Sequence, residues 1–269
     1  MKFKELPLSV YHSLRLRYKK TIPSKNTLPV IVSLTSIPSR LSTLDIVISS
    51  LLSQSQCPQQ IILWLNEDLK QNLPQYLVRL EGDIFKICYC EGNSSYRKLL
   101  PSLKDYPNSI IVTCDDDMIY PKNWLSGLYQ CHKNRPKDVI SQVGRLITRD
   151  DNKQLKAYKN WCFLKYEYTR DNFLPVGYGG VLYPCKTFSA EVFNEELFMK
   201  LSPKADDLWF KALSFLNDKQ SYCASETARP IPLLGSQTFS LRKTNIGQDA
   251  NRTQWLALCE YFPKLKEIG

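Results

Sequence analysis

The chain has 269 residues, 43% of them hydrophobic, and 36 lysines and arginines against 26 aspartates and glutamates give it a formal charge of +10. That length and apolar content suffice to bury a core in one large domain or two small ones, which excludes a disordered chain. Nine cysteines without a CxxC pair predict reduced, partly buried thiols of a cytosolic protein, and no apolar stretch reaches the roughly 20 residues of a membrane span or has the form of a signal peptide.

Residues 1–28 read as a basic amphipathic arm. Within the first 25, Lys2, Lys4, Arg15, Arg17, Lys19, Lys20 and Lys25 face a single acid, Glu5, and alternate with Leu6, Leu8, Val10, Tyr11, Leu14, Leu16 and Tyr18. This pattern suits an element touching an anionic membrane surface; a solvated arm or a helix packed on the domain is the competing reading. No stripe of basic residues with interleaved aromatics follows, so no nucleic acid is expected as partner.

Leu28–Ser33 predicts a strand, Leu34–Arg40 a polar turn and Leu41–Leu52 a helix. Further strands are expected at Ile61–Leu65, Ile84–Tyr89 and Ser109–Cys114, with helices at Leu73–Leu80 and Tyr96–Leu103. Cys88 and Cys90 alternate along the third strand, but with His12 and His132 the only histidines a structural zinc lacks ligands. Strands alternating with helices predict a parallel, Rossmann-like sheet across residues 29–135.

After a helix at Asn123–Lys133 and a strand at Val139–Leu146, residues 148–175 are polar and aromatic. Trp161, Phe163, Tyr166, Tyr168 and Phe173 read as core, with a stacking platform for a sugar or lipid as the other possibility. Val176–Pro184 is strand-like and carries Gly179 and Gly180, whose lack of side chains implies close approach by backbone or ligand. Helices are expected at Phe193–Leu201 and Asp206–Leu216, and a last one follows a polar stretch containing Gln237, Asn245 and Asn251. Residues 136–269 are thus assigned to a second, less regular half of the same domain.

The chemistry concentrates in three places. Asp115, Asp116 and Asp117 end an apolar strand, and three such carboxylates repel one another unless a cation or hydrogen bonds compensate; a solvated acidic turn is the bland alternative. An extended backbone would put Asp115 and Asp117 on one side, an Asp-x-Asp pair suited to magnesium or manganese, and Asp116 on the other. Thr35, Ser36 and Arg40 lie in the loop after the first strand, where free helix amides suit an anion and where helix capping is the ordinary use of Ser or Thr. Arg97 and Lys98 could neutralise phosphate or merely sit on a solvated face. Asp206 and Asp207 open a helix, where capping explains one acid, and a carboxylate against Leu208-Trp209-Phe210 can be tuned to take a proton from a hydroxyl.

Taken in order, Ile31–Arg40, Tyr96–Leu103, Asp115-Asp116-Asp117 with Tyr120-Pro121, Gly177–Gly180 and Ala205–Trp209 resemble bacterial GT-A fold, family 2-like glycosyltransferases of capsule and lipopolysaccharide assembly. The resemblance spans roughly residues 29–255. It implies a mixed α/β sheet flanked by helices in a single domain, a nucleotide-sugar donor in the first half, a divalent cation (manganese or magnesium) and an acceptor in the second half. By position, Thr35, Ser36, Pro38, Arg40, Lys98, Asp115 and Asp116 would surround the nucleotide-sugar. Asp117, helped by Asp115, would hold the metal, and Gly179 and Gly180 would line the junction of donor sugar and acceptor. Asp207, or failing it Asp206, would be the base of an inverting transfer.

Many such enzymes bring a late histidine to the metal, and this chain has none after His132, leaving water or an amide such as Gln237, Asn245 or Asn251. The expected function is transfer of a sugar, from a UDP-sugar by preference, to a growing, lipid-linked glycan at the inner face of the cytoplasmic membrane. A magnesium-dependent nucleotidyltransferase or nucleotide-sugar phosphohydrolase, or a non-catalytic membrane or nucleic-acid adaptor on a transferase-like fold, is the alternative.

Overall fold

The apolar runs of the first half become the centre of a mixed sheet. The computed structural model describes residues 6–18, 22–92, 94–164, 166–224, 229–234 and 249–269. Its first strands are β1 (Thr27–Thr35), β2 (Cys57–Asn66), β3 (Phe85–Cys90) and β4 (Ile110–Thr113), all parallel in the order β3-β2-β1-β4. Then follow β5 (Met118–Ile119), β6 (Val139–Ser141), β7 (Gly144–Leu146), β8 (Phe163–Leu164), β9 (Tyr168–Thr169), β10 (Phe173–Pro175), β11 (Val181–Tyr183), β12 (Ser221–Cys223) and β13 (Ile231–Pro232). The main sheet continues from β4 as β11-β6-β12-β9, with β11 antiparallel to both of its neighbours. Two smaller sheets, β10-β7-β8 and β13-β5, accompany it.

The helices are α1 (Leu6–Tyr18), α2 (Leu44–Leu52), α3 (Gln75–Val78), α4 (Leu100–Asp105), α5 (Trp124–Asn134), α6 (Glu195–Leu201), α7 (Asp206–Leu216) and α8 (Ala250–Tyr261). They cover both faces of the sheet, so its central strands are apolar on both sides. Val30, Val32 and Leu34 of β1, with Ile61, Leu63 and Leu65 of β2, pack under Val47, Ile48 and Leu51 of α2. The alternate residues Ile31, Ile62 and Trp64 enter the opposite core with Leu208 of α7 and Trp255 and Leu258 of α8. A slip of one residue would exchange the two sets between differently shaped cores, which pins the register.

Several elements differ from expectation. The helix predicted from Leu41 starts as a 3₁₀ turn, Pro38–Thr43, and becomes α-helical only at Leu44. The helix predicted over Tyr96–Leu103 is a 3₁₀ turn, Ser95–Lys98, followed by α4, because Pro101 lacks an N–H and favours a fresh helix start. Val139–Leu146 is two strands in two sheets. Ser141 Oγ donates within a pocket formed by Val143 O (2.8 Å) and Gly180 O (2.9 Å), which takes the chain out of the ladder. In Val176–Pro184 only Val181–Tyr183 is strand, and Gly177–Gly179 form a 3₁₀ turn before it.

The basic arm contains a helix packed on the domain. α1 lies across α2 and the β5–β13 ribbon, burying Ser9, and Arg17 reaches Asp45 at 3.1 Å. Of the aromatics after residue 148, Trp161 and Phe173 are core, whereas Tyr166 is 61% exposed. Among the described residues no helix is long and apolar enough to cross a membrane.

Candidate active site

The three acids lie beyond the carboxyl end of β4, where ligands of open α/β sheets bind. The chain leaves the extended conformation after Thr113 and turns at Asp116 and Asp117. The strand alternation expected to place Asp115 and Asp117 on one side therefore does not apply: a turn groups Asp116 with Asp117 against Arg40 and sends Asp115 to Lys98. Tyr120 fixes the turn, its buried hydroxyl accepting the Asp115 N–H at 2.9 Å.

Asp116 is the buried member, 5% exposed. It accepts from Ser36 Oγ at 2.5 Å and pairs with Arg40, which also lies 3.4 Å from Asp117. Ser36 and Arg40 thus come together with the acids, Pro38 opening the 3₁₀ turn that carries Arg40. Thr35 points elsewhere, its hydroxyl donating to Trp64 O of β2 at 2.8 Å. Arg97 ties the first loop down, donating to Gly92 O and to Ser36 O.

Lys98 connects the halves. Its side chain is 7% exposed, and its ammonium lies 3.2 Å from Asp115, 2.9 Å from Asp206 and 3.9 Å from Asp207. Although burial disfavours the charged amine, these carboxylates hold its pKa well above the ordinary lysine value. Asp206 is thereby neutralised by a direct ion pair. Asp207 remains a quarter exposed and accepts the Gly177 N–H at 3.2 Å. Burial, with Asp206 and Asp115 adding to it against Lys98, pushes the Asp207 carboxyl up to about 7.

Gly177 was not among the residues expected from sequence, yet it covers this cluster. A Cβ there would stand 2.6 Å from Lys98 Nζ and 3.2 Å from both Asp115 Oδ1 and Asp207 Oδ1. Its only sequence signal is membership of the Gly177–Gly180 run. Because displacements of about 1 Å at reacting groups can cost about 10²-fold in rate, Gly177→Ala is expected to reduce turnover by that order. Its melting temperature should fall by no more than about 4 °C. Steady-state kinetics beside thermal melts would check this, and unchanged kinetics would refute it.

Gly179 and Gly180 are closely packed against neighbouring side chains. A Cβ on Gly179 would run into Val143 Cγ2, and one on Gly180, at a left-handed φ of +87°, would run into the Trp124 ring. Trp124 Nε1 donates to Gly179 O at 2.8 Å, another contact that sequence reading missed. Gln237 and Asn245 lie outside the described residues. Asn251 is 8% exposed beside Tyr158.

A hard divalent cation fits the donor set. Among the described residues the cluster sets five carboxylates, Asp115, Asp116, Asp117, Asp206 and Asp207, against two cations, Arg40 and Lys98. Burial and then Asp115 push the Asp117 carboxyl up to about 7, so positive charge beside it would be stabilising. Among the described residues no group of three or more His, Cys, Asp or Glu side chains converges to hold a metal ion. A cation held there would draw its other ligands from water and substrate oxygens.

A family model described as glycosyl transferase family 2 matches residues 37–197, a span that includes Arg40, Lys98, the acidic turn and Gly177 and ends before α7. Among solved structures, that of S. aureus TarS 1-349 is similar with a TM-score of 0.51 and 14% identity, covering 88% of this chain and 73% of that one. At that identity the likeness is one of fold. No curated protein matches in sequence.

Proposed function

Because the chain belongs to glycosyl transferase family 2, matched over residues 37–197, and has the GT-A fold, we propose a metal-dependent inverting transfer from a nucleotide-sugar to a glycan. The donor is a UDP-sugar by preference, the sugar a hexose, and the acceptor a growing capsule or lipopolysaccharide glycan carried on a lipid. Residues 29–135 serve the donor and 136–269 the acceptor. Ser36, Arg40 and the acidic turn face the nucleotide diphosphate, with Asp117 the main holder of manganese or magnesium and Asp115 its helper. Bound there, the cation would neutralise the departing diphosphate.

One observation carries this reading: Lys98 and Gly177 bring the donor-side Asp115 and the acceptor-side Asp207 into a single cluster. Asp207 is the base. It takes the proton of the acceptor hydroxyl as that oxygen bonds to the anomeric carbon, and the nucleoside diphosphate leaves with the electron pair of the broken bond. Asp206, held by Lys98, is the less available of the two acids. Arg40 and Lys98 keep the neighbouring carboxylates in place, with Arg40 near enough to the turn to meet phosphate charge. The basic amino-terminal segment would keep the protein at the cytoplasmic face of an anionic membrane.

Calorimetric titration of UDP, GDP and CMP with manganese, magnesium or EDTA tests the donor side. One nucleotide should bind in a metal-dependent way. Asp117→Ala should weaken it by more than the roughly 10–100-fold that supporting residues of metal sites cost. Failure of all three nucleotides to bind would sink the proposal.

A further inference from the structure

A cavity of about 300 Å³ lies beneath α1, between it, α2 and the segment Ile119–Lys122. Arg15 and Lys122 stand at it with His12, no carboxylate lines it among the described residues, and Leu16, Ile119 and Ile231 give it an apolar wall. A second and larger groove along α1, about 980 Å³, has a different character: Arg17 and Arg79 are offset there by Asp45 and Asp83. Of these two, the first combines positive charge with an apolar surface and, among the described residues, has no acid in its lining.

α1 is exposed on the side away from the domain. Ser9 is buried and Leu16 packs on the core, while Leu8 is 46%, Tyr11 60% and Leu14 53% exposed. Apolar side chains left in water on a basic helix have the composition of an interfacial element. The first 25 residues contain seven basic residues and one acid, complementary to an anionic surface.

We propose that this cavity binds the phosphate headgroup of an anionic phospholipid, with α1 lying in the headgroup layer and Leu8, Tyr11 and Leu14 entering the acyl boundary. Paired cations beside an apolar wall match a phosphate attached to hydrocarbon. A free phosphate would leave both the wall and the exposed side chains of α1 uncovered. The cavity also adjoins the active site, because Tyr120, which lines it, holds the backbone of Asp115. The inference rests on the membrane placement proposed above and is independent of which sugar is transferred.

The test is co-sedimentation of the full chain with vesicles of phosphatidylcholine alone or mixed with phosphatidylglycerol. Binding is expected only with phosphatidylglycerol. Arg15→Gln combined with Lys122→Gln should weaken it about thirtyfold, since each near-surface cation contributes roughly one kilocalorie per mole. Lys200→Gln combined with Lys266→Gln removes equal charge from elements packed on the other core and should stay within about twofold of the parent. Leu8→Ser with Leu14→Ser, both exposed, should also release the protein. Absence of vesicle binding, equal losses in the two charge pairs, or a thermal shift with inorganic phosphate without vesicle binding would each overturn the proposal. UDP calorimetry on the same proteins separates the two readings: it should be unaltered by Arg15→Gln with Lys122→Gln, and its failure in the parent would count against the donor site alone.

Discussion

Asp207→Asn is expected to lower turnover about 10²–10⁴-fold, the range associated with a general base, while metal-dependent nucleotide binding persists. The amide keeps the shape of the side chain and can still accept the Gly177 N–H, but it cannot take a proton. The pH profile gives a more selective readout. Burial holds the Asp207 carboxyl at about 7, and only its ionised form is competent. kcat/KM of the parent should therefore rise with pH up to about 7 and then level, and this limb should be missing from the variant. If Asp206→Asn abolished turnover while Asp207→Asn did not, the base would have to be reassigned to the residue now paired with Lys98 at 2.9 Å.

Stability should run the other way along the pH axis. The folded-state pKa of Asp207, and likewise of Asp117, stands at about 7, above the ordinary aspartate value of 3.8. Between those values the folded chain binds more protons than the unfolded one, so stability falls as pH rises through that window.

Lys98→Met is the second substitution with a large expected effect. It removes the cation shared by Asp115, Asp206 and Asp207 and leaves Asp206, whose side chain is 10% exposed, without its ion-pair partner. Breaking a buried pair from one side costs about 3–5 kcal/mol, and urea unfolding should read that loss at about pH 8. Because the folded-state pKa of Lys98 is raised, its contribution is complete below the ordinary lysine value and is lost only as pH rises through the raised one. Near neutrality the amine is thus constant, and the deficit of the variant should shrink toward about pH 5 as Asp207, whose carboxyl stands at about 7, becomes neutral. A deficit that did not vary with pH would mean that packing, not charge, is what Lys98 contributes.

How much of this was legible beforehand varied with the range of the forces involved. β1, β2 and β4 announce themselves because strands covered on both faces need unbroken apolar runs, and α7 because its acids and apolar face share a helical period. Val139–Leu146 reads as one strand because the event that divides it, Ser141 turning to Gly180 O, involves a partner 39 positions away. The spacing of Asp115 and Asp117 suggested a shared side only on the assumption that the strand continued, and it ends two residues earlier. Lys98 was expected to meet the donor from the motif around it. Its contacts with Asp206 and Asp207 depend on chain crossings that no local pattern records. Gly177 shows the same limit, since nothing in a run of glycines says which one stands over an ammonium group.

The antiparallel insertion of β11 between β4 and β6 bears on how the chain is made. The strands β1 to β4 are complete once residue 113 has left the ribosome, yet the outer edge of β4 has no partner until Val181–Tyr183 have been synthesised. For that interval a nascent chain presents an apolar central strand with unpaired amides and carbonyls, the kind of edge that recruits foreign strands. The burden of protecting it falls on whatever meets the polypeptide during translation, and the carboxylates that follow the strand would repel a second copy stacked in register upon it.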